Sequence, residues 1–334
     1  MIFLAAALLC VAAAAAILTG AVRAYALRSS LLDVPNERSL HRTPTPRGGG
    51  IAIVLVTLAG LAGFAATGTI PDSTAWTLGG GGALVAAVGW LDDRRGVSAP
   101  ARALVHAIAA GWAVAWIGGL ASPLAVLGAV WVVWAINLYN FMDGIDGLAG
   151  AEAVSVGLIG GALLLSAGAT ALSTVAFLVA AAAAGFLGWN WAPARIFMGD
   201  VGSGFLGYTF GTLALLSHRE AAVSLPLWLL VMGVFLFDAT LTLLRRIAKG
   251  ERWYQAHRSH AYQRLVQAGS SHARVTLLVL AVNVGLGLLA SLAQSGRLST
   301  TAAALAGTVA LAILYLAVER RRPMYGAASD PTLP

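Results

Sequence analysis

From Leu124 to Ser166 the chain reads LAVLGAVWVVWAINLYNFMDGIDGLAGAEAVSVGLIGGALLLS, two apolar runs either side of a polar knot, Asp143-Gly-Ile-Asp146-Gly147. Each run approaches the roughly 20 residues that carry a helix across a bilayer at about 1.5 Å per residue. The knot between them is too short for anything but a tight turn, so the stretch is a pair of membrane helices. Working outward, the pattern repeats. Apolar runs near 1–22, 49–69, 75–91, 103–119, 123–141, 148–166, 171–191, 202–217, 223–244, 274–294 and 300–318 predict an all-α polytopic transmembrane bundle of eleven spans. Half of their connections are terse and carry turn residues, as at Gly68 to Asp72, Gly118 and Gly119, Gly168, and Gln294 to Gly296.

Composition agrees. Hydrophobic residues make up 59% of the 334 and charged residues 10%, against about 25% charged in soluble domains. So few ions cannot cover a water-facing surface of this size, which excludes a soluble enzyme or a nucleic-acid-binding module. The lone cysteine, Cys10, excludes an intrachain disulfide and a cysteine zinc site. No basic residue precedes the first apolar run, so it reads as an uncleaved helix rather than a secretory signal.

Counting Lys and Arg on alternate connections gives 19 of the 21 on one side, with only Arg219 and Arg297 on the other. The basic side is the cytoplasmic one. An odd number of spans then puts the N-terminus outside and the C-terminus, after Arg320, Arg321 and Arg322, inside. Residues 1–322 are expected to form one integral-membrane domain and 323–334 a disordered tail.

Eight of the fourteen acidic residues lie on the five cytoplasmic connections, where a carboxylate beside the membrane is a functional candidate. The first, Asp33 to Gly50, offers Asn36, Arg38, His41 and Arg47 on a Pro- and Gly-rich loop suited to phosphate oxygens. The second holds Asp92 and Asp93, adjacent carboxylates that can share a divalent cation or make one another basic. The third packs Asn137, Asn140, Asp143 and Asp146 into ten residues. The fourth runs from Asn190 to Gly204 and sets Asp200 before a helix opening with Gly202, Ser203 and Gly204, a start whose free N–H groups attract phosphate. The fifth carries His257-Arg258-Ser259-His260 among cations, a setting that suits phosphate or ribose better than zinc. Carboxylates for Mg²⁺ with Arg and His for phosphate are the parts of phosphoryl transfer.

These five stretches, in this order, resemble the polyprenyl-phosphate N-acetylhexosamine-1-phosphate transferase family, glycosyltransferase family 4, with its MraY-like and WecA-like members. The resemblance implies transfer of a sugar-1-phosphate from a UDP-linked N-acetylhexosamine to undecaprenyl phosphate, with release of UMP, at the cytoplasmic face of a bacterial inner membrane. It implies Mg²⁺ as cofactor, with Mn²⁺ as substitute, and a homodimer as the assembly. Asp200 matches the family's Mg²⁺-binding aspartate, and Asp92 and Asp93 match its acidic pair, co-ligands of the metal and candidates to deprotonate the lipid phosphate. Asn137, Asn140, Asp143 and Asp146 match the stretch for nucleotide and metal placement, and His257, Arg258 and His260 the last loop. Muramoyl-pentapeptide transferases carry three consecutive His there. The break at Arg258-Ser259 therefore points to GlcNAc or a 6-deoxy amino sugar, and to initiation of O-antigen or other surface polysaccharide. The alternatives are phospho-N-acetylmuramoyl-pentapeptide transfer and, in another class, cation-coupled transport. A transporter wants charges near the midplane of several spans, and the reading places only Asp238 inside one.

Overall fold

A backbone N–H or C=O inside a bilayer has no water to bond, so apolar runs close their hydrogen bonds within helices. A computed structural model of the chain describes residues 2–35, 40–41, 43–118, 123–252 and 257–325. Its first half comprises α1 (Ile2–Arg28), β1 (Leu32–Asp33), β2 (Thr45–Pro46), α2 (Ile51–Ala66), α3 (Asp72–Arg95), α4 (Ala99–Ile117), α5 (Pro123–Met142) and α6 (Leu148–Ser166). Then follow α7 (Thr170–Asn190), α8 (Asp200–Arg219), α9 (Leu225–Val231), α10 (Gly233–Ala248), α11 (Ala261–Gln267), α12 (His272–Gln294) and α13 (Thr300–Arg321). The nearly all-helical polytopic architecture is the one expected from sequence.

Each of the eleven apolar runs coincides with a helix, the ninth with the pair α9 and α10, which meet at an 85° bend. Among the described residues, eight helices are long and apolar enough to cross a membrane, or nine if the bent pair is one span. The expected run at 49–69 is a helix of only 16 residues, α2. α8 is long, but Gly, Ser and Thr dilute its apolar character. Its residues from Val201 to Ala214 are all buried, enclosed by α3, α5 and their neighbours. The expected tail divides: Pro323 to Tyr325 are described, and 326–334 lie outside the described residues.

The bundle is apolar on its outside. Leu124, Val126, Leu127 and Val130 on α5 and Leu305, Val309, Ile313 and Leu316 on α13 are exposed, the reverse of a water-soluble protein. Inside, small residues let helices approach, as lipid-embedded packing requires. A Cβ at Gly207 of α8 would run into the backbone of Ala135 and Ile136 on α5.

A second intramembrane carboxylate joins Asp238 here. Glu152 stands one turn into α6, fully buried, with its Oε2 accepting from Asn283 Nδ2 of α12 at 2.6 Å. Near the start of an otherwise apolar run, Glu152 has no motif around it in the sequence to mark it as a buried acid.

Candidate active site

The first connection folds back on itself as β1 pairs antiparallel with β2, Leu32 opposite Pro46 and Asp33 opposite Thr45. It is then laced to the fourth connection. Phe197 N–H donates to Pro46 O at 2.8 Å, Gly49 N–H to Phe197 O at 2.9 Å, and Gly50 N–H to Met198 O at 2.9 Å. The two backbones come so close that a Cβ on Gly50 would meet the Cα of Gly202. Glycine is required at Gly50 for that reason, and the lacing delivers His41 and Arg47 to the same place as Asp200.

That place is a cavity of about 400 Å³. All five of the expected connections contribute to its wall. Of the expected site residues, His41, Arg47, Asp93, Asn140, Asp143, Asp146, Asn190, Asp200 and His257 line it. Asp92, Asn137, Arg258 and His260 are not part of the wall, and Asn36 and Arg38 lie outside the described residues.

The acidic pair divides by geometry. Asp93, at the last turn of α3, is 3% exposed and accepts the free N–H groups of Asp200 at 3.1 Å and Val201 at 3.2 Å, so it caps α8 from another helix. The Arg47 guanidinium donates to the Asp93 carbonyl. Asp92 turns the other way, accepting from Val97 N–H at 2.5 Å and from Arg102 Nη1 at 2.6 Å. The same Arg102 nitrogen reaches Asp200 Oδ2 at 3.0 Å.

Asn190 fastens the third connection to the fourth. Its Oδ1 accepts from Gly147 N–H at 3.1 Å and its Nδ2 donates to Ile196 O at 2.9 Å. Asp146 Oδ2 accepts from Ala194 N–H at 3.0 Å, and its Oδ1 lies 3.3 Å from His272 Nδ1. Burial works against the Asp146 charge, but the His272 contact and the Ala194 amide outweigh it and hold the carboxyl below its ordinary range. Asn140 Nδ2 reaches Ser203 Oγ at 3.3 Å, whereas Asn137 spends its amide on Val133 O one turn back in its own helix.

Asp143 differs from the rest. Burial first, then the charges of Asp200, Asp93 and Asp146, push its carboxyl up to about 8. His257 is driven the other way, to about 3, by burial and then by His260 and Arg246. Its ring is therefore neutral near pH 7, with Nδ1 2.9 Å from Ser259 Oγ.

The donor set can be tested against Mg²⁺. Among the described residues no three His, Cys, Asp or Glu side chains come together to enclose an ion. Mg²⁺ seldom needs such a cage; it keeps several waters and takes one or two carboxylates plus substrate phosphates. A buried carboxyl raised by three others marks a place where negative charge lacks a counter-ion, and the all-oxygen donors Asp143, Asp200 and Asn140 fit that ion.

Four charged or polar side chains of this neighbourhood were not singled out from sequence as site residues: Asp33, Gln263 and His272 on the wall, and Arg102 beside it. His272 opens α12 after Ser270 and Ser271, a polar step before an apolar helix that could have drawn notice. Arg102 was counted only as one of many cations.

The glycosyl transferase family 4 model matches residues 75–218, which include Asp92, Asp93, Asp143, Asp146 and Asp200. A Bacillus subtilis protein named "Probable undecaprenyl-phosphate N-acetylglucosaminyl 1-phosphate transferase" is 30% identical over 283 residues, covering 79% of this chain and 77% of its own. Decaprenyl-phosphate N-acetylglucosaminephosphotransferase of Mycobacterium tuberculosis H37Rv is 30% identical over 303 residues, 78% of this chain and 75% of the relative. Phospho-N-acetylmuramoyl-pentapeptide-transferase of Thermosynechococcus vestitus is 32% identical over 231 residues, 61% of this chain and 59% of the relative. With the five connections converging on one acidic cavity, these matches show that the chain belongs to glycosyl transferase family 4, the polyprenyl-phosphate N-acetylhexosamine-1-phosphate transferases.

Proposed function

We propose that the protein transfers N-acetylhexosamine-1-phosphate, with GlcNAc the first candidate sugar, from its UDP conjugate to undecaprenyl phosphate, starting a surface polysaccharide such as O-antigen. The observation that carries this reading is the cavity itself. Asp93, Asp143, Asp146 and Asp200 line, together with Arg47, His41 and His257, one cavity of about 400 Å³ at one end of a membrane bundle. Carboxylates for a divalent cation, and an arginine with imidazole hydrogen-bonding groups for phosphate, are what two phosphate-bearing substrates require in order to approach.

In the reaction a lipid phosphate oxygen bonds to the sugar-bearing phosphorus as the bond from that phosphorus to the UMP oxygen breaks. UMP leaves with the electron pair. Mg²⁺, held by Asp200 with Asp143 and Asn140 beside it, would supply charge neutralisation of the diphosphate and of the leaving UMP. Arg47 and His41 would donate to phosphate oxygens, while Asp146, Asn190 and His272, on the same cavity wall, would take the nucleoside. The two hydrogen bonds that backbone N–H groups donate to Asp93 favour a positioning role over that of a base, and the Arg102 ion pair does the same for Asp92. An apolar groove of about 370 Å³ between α10, α11, α12 and α13, walled by Phe237, Leu278, Val282 and Leu314, offers a course for the polyprenyl chain.

The sugar reading favours GlcNAc over muramoyl-pentapeptide. Three consecutive His are lacking at 257–260. The relatives named for GlcNAc transfer match 79% and 78% of this chain, against 61% for the muramoyl relative. The test is UMP release by purified protein with undecaprenyl phosphate, MgCl₂ or MnCl₂, and UDP-GlcNAc, UDP-6-deoxy amino sugars or UDP-MurNAc-pentapeptide. UMP from UDP-GlcNAc, abolished by EDTA, is expected. No UMP from any UDP-amino sugar would remove the reading altogether.

A further inference from the structure

Asp238 lies in α10, beyond the 85° bend, and is 6% exposed. A carboxylate so placed is costly unless donors surround it, and they do. Thr242 Oγ1 donates to its Oδ1 at 3.0 Å, Ala261 N–H to Oδ1 at 2.8 Å, and Tyr262 N–H to Oδ2 at 3.2 Å. His260 Nδ1 stands 3.5 Å from Oδ1.

Ala261 and Tyr262 are the first two residues of α11, whose opening N–H groups have no partner within the helix. At seven residues α11 is too short to hold itself in place. Its position is set by its ties to other elements. Asp238 holds its start. Tyr262 Oη donates to Phe141 O at 3.1 Å, and Arg264 Nη1 donates to Glu319 Oε2 at 2.6 Å and to Arg322 O at 2.8 Å. What α11 presents matters to the site: Gln263 is on the cavity wall, and the Tyr262 hydroxyl lies so close to Gly144 that a Cβ there would collide with it.

We propose that Asp238 is a positioning residue that caps α11 from α10 and thereby fixes Gln263 and Tyr262 against the Asp143–Gly144 wall, setting how tightly the nucleotide sugar is held. The second half of this statement rests on the function proposed above. Asn in place of Asp keeps one acceptor oxygen and sets an amide N–H₂ against the other backbone N–H, which removes one of the two capping bonds and the charge while changing little volume. Glu restores two acceptor oxygens.

The test is hydrogen–deuterium exchange on the full-length protein in detergent, with UMP-release kinetics on the same samples. Asp238→Asn is expected to raise exchange at Ala261 and Tyr262 roughly ten-fold, in line with a lost helix cap. Exchange in α6 and α7 stays as in the wild type, KM for UDP-GlcNAc rises by a similar factor, and kcat holds. Asp238→Glu recovers protection and KM together. Should Asp238→Asn fail to fold, Ala261→Pro removes one of the capped N–H groups at the first helical position, where proline is tolerated. It is expected to raise exchange at Tyr262 and raise KM. Unchanged exchange overturns the cap, and raised exchange with unchanged KM overturns its role at the site. If the wild type releases no UMP, the functional reading fails while the exchange result still decides the cap.

Discussion

Asp92 and Asp93 are chemically identical neighbours, yet one helical residue turns a side chain by about 100°. That rotation sends Asp92 to Arg102 and Asp93 to the start of α8. Sequence can say that an acidic pair ends a helix; it cannot say which member faces which neighbour, because the neighbours arrive from residues 102 and 200. Asp200 is the carboxylate on which the proposed metal depends most. Asp200→Asn keeps the shape and removes the charge, and kcat should fall on the order of a hundred-fold or more at saturating Mg²⁺. Normal turnover in that variant would take Asp200 out of the metal site.

Asp143 gives a prediction about pH. Its folded-state carboxyl sits at about 8 against an ordinary 3.8. Between those values the unfolded chain has lost the proton that the folded chain keeps, so in chelator stability falls as pH rises through that window. Asp143→Asn cannot ionise and lacks this component. The difference in melting temperature, variant minus wild type, should therefore grow from pH 5 to pH 8, and a difference that stays constant would contradict the raised carboxyl.

Among the elements, the helices were the legible part. Length and apolarity sufficed for them, because a membrane-embedded backbone has few other options. The 85° bend at Met232 and Gly233 was not legible, since no charged or hydroxyl residue interrupts the run between Leu225 and Phe237. Nor was α11, whose seven residues owe their place to Asp238 and Glu319 rather than to any periodicity of their own. In the Pro- and Gly-rich loop from Asp33 to Gly50, the last glycine serves a backbone crossing that the sequence does not announce. Gly50→Ala should cost about 1–3 kcal/mol, since a methyl there meets main chain that cannot step aside. Gly63 in α2 has nothing within 4 Å of a built Cβ. Gly63→Ala should leave stability unchanged or raise it by about 0.5–1 kcal/mol through helix propensity. Thermal melts of both variants in one detergent make the comparison.

At the scale of the whole molecule, alternate connections meet: those after α1, α3, α5, α7 and α10 all line one cavity. The basic-residue count was the signal for this arrangement, because it depends on which side a loop occupies rather than on what the loop touches. It also fixes an expectation about sidedness. In a Cys10→Ser background, Lys249→Cys should resist a membrane-impermeant thiol reagent in intact cells while Ser295→Cys reacts, and the opposite labelling would invert the topology.

The lacing of Pro46, Gly49 and Gly50 to Phe197 and Met198 bears on how the protein is made. The ribosome delivers Gly50 148 residues ahead of Met198, counted as 198 minus 50. At about 5–20 residues per second that gap lasts on the order of ten seconds. During it α1 and α2 can already be inserted and β2 can pair with β1, but the backbone from Pro46 to Gly50 that flanks Arg47 still lacks Phe197 and Met198 to bond with. The catalytic chamber is thus finished by translation of its later walls, and a nascent chain stalled before Asp200 would be a membrane protein without yet being an enzyme.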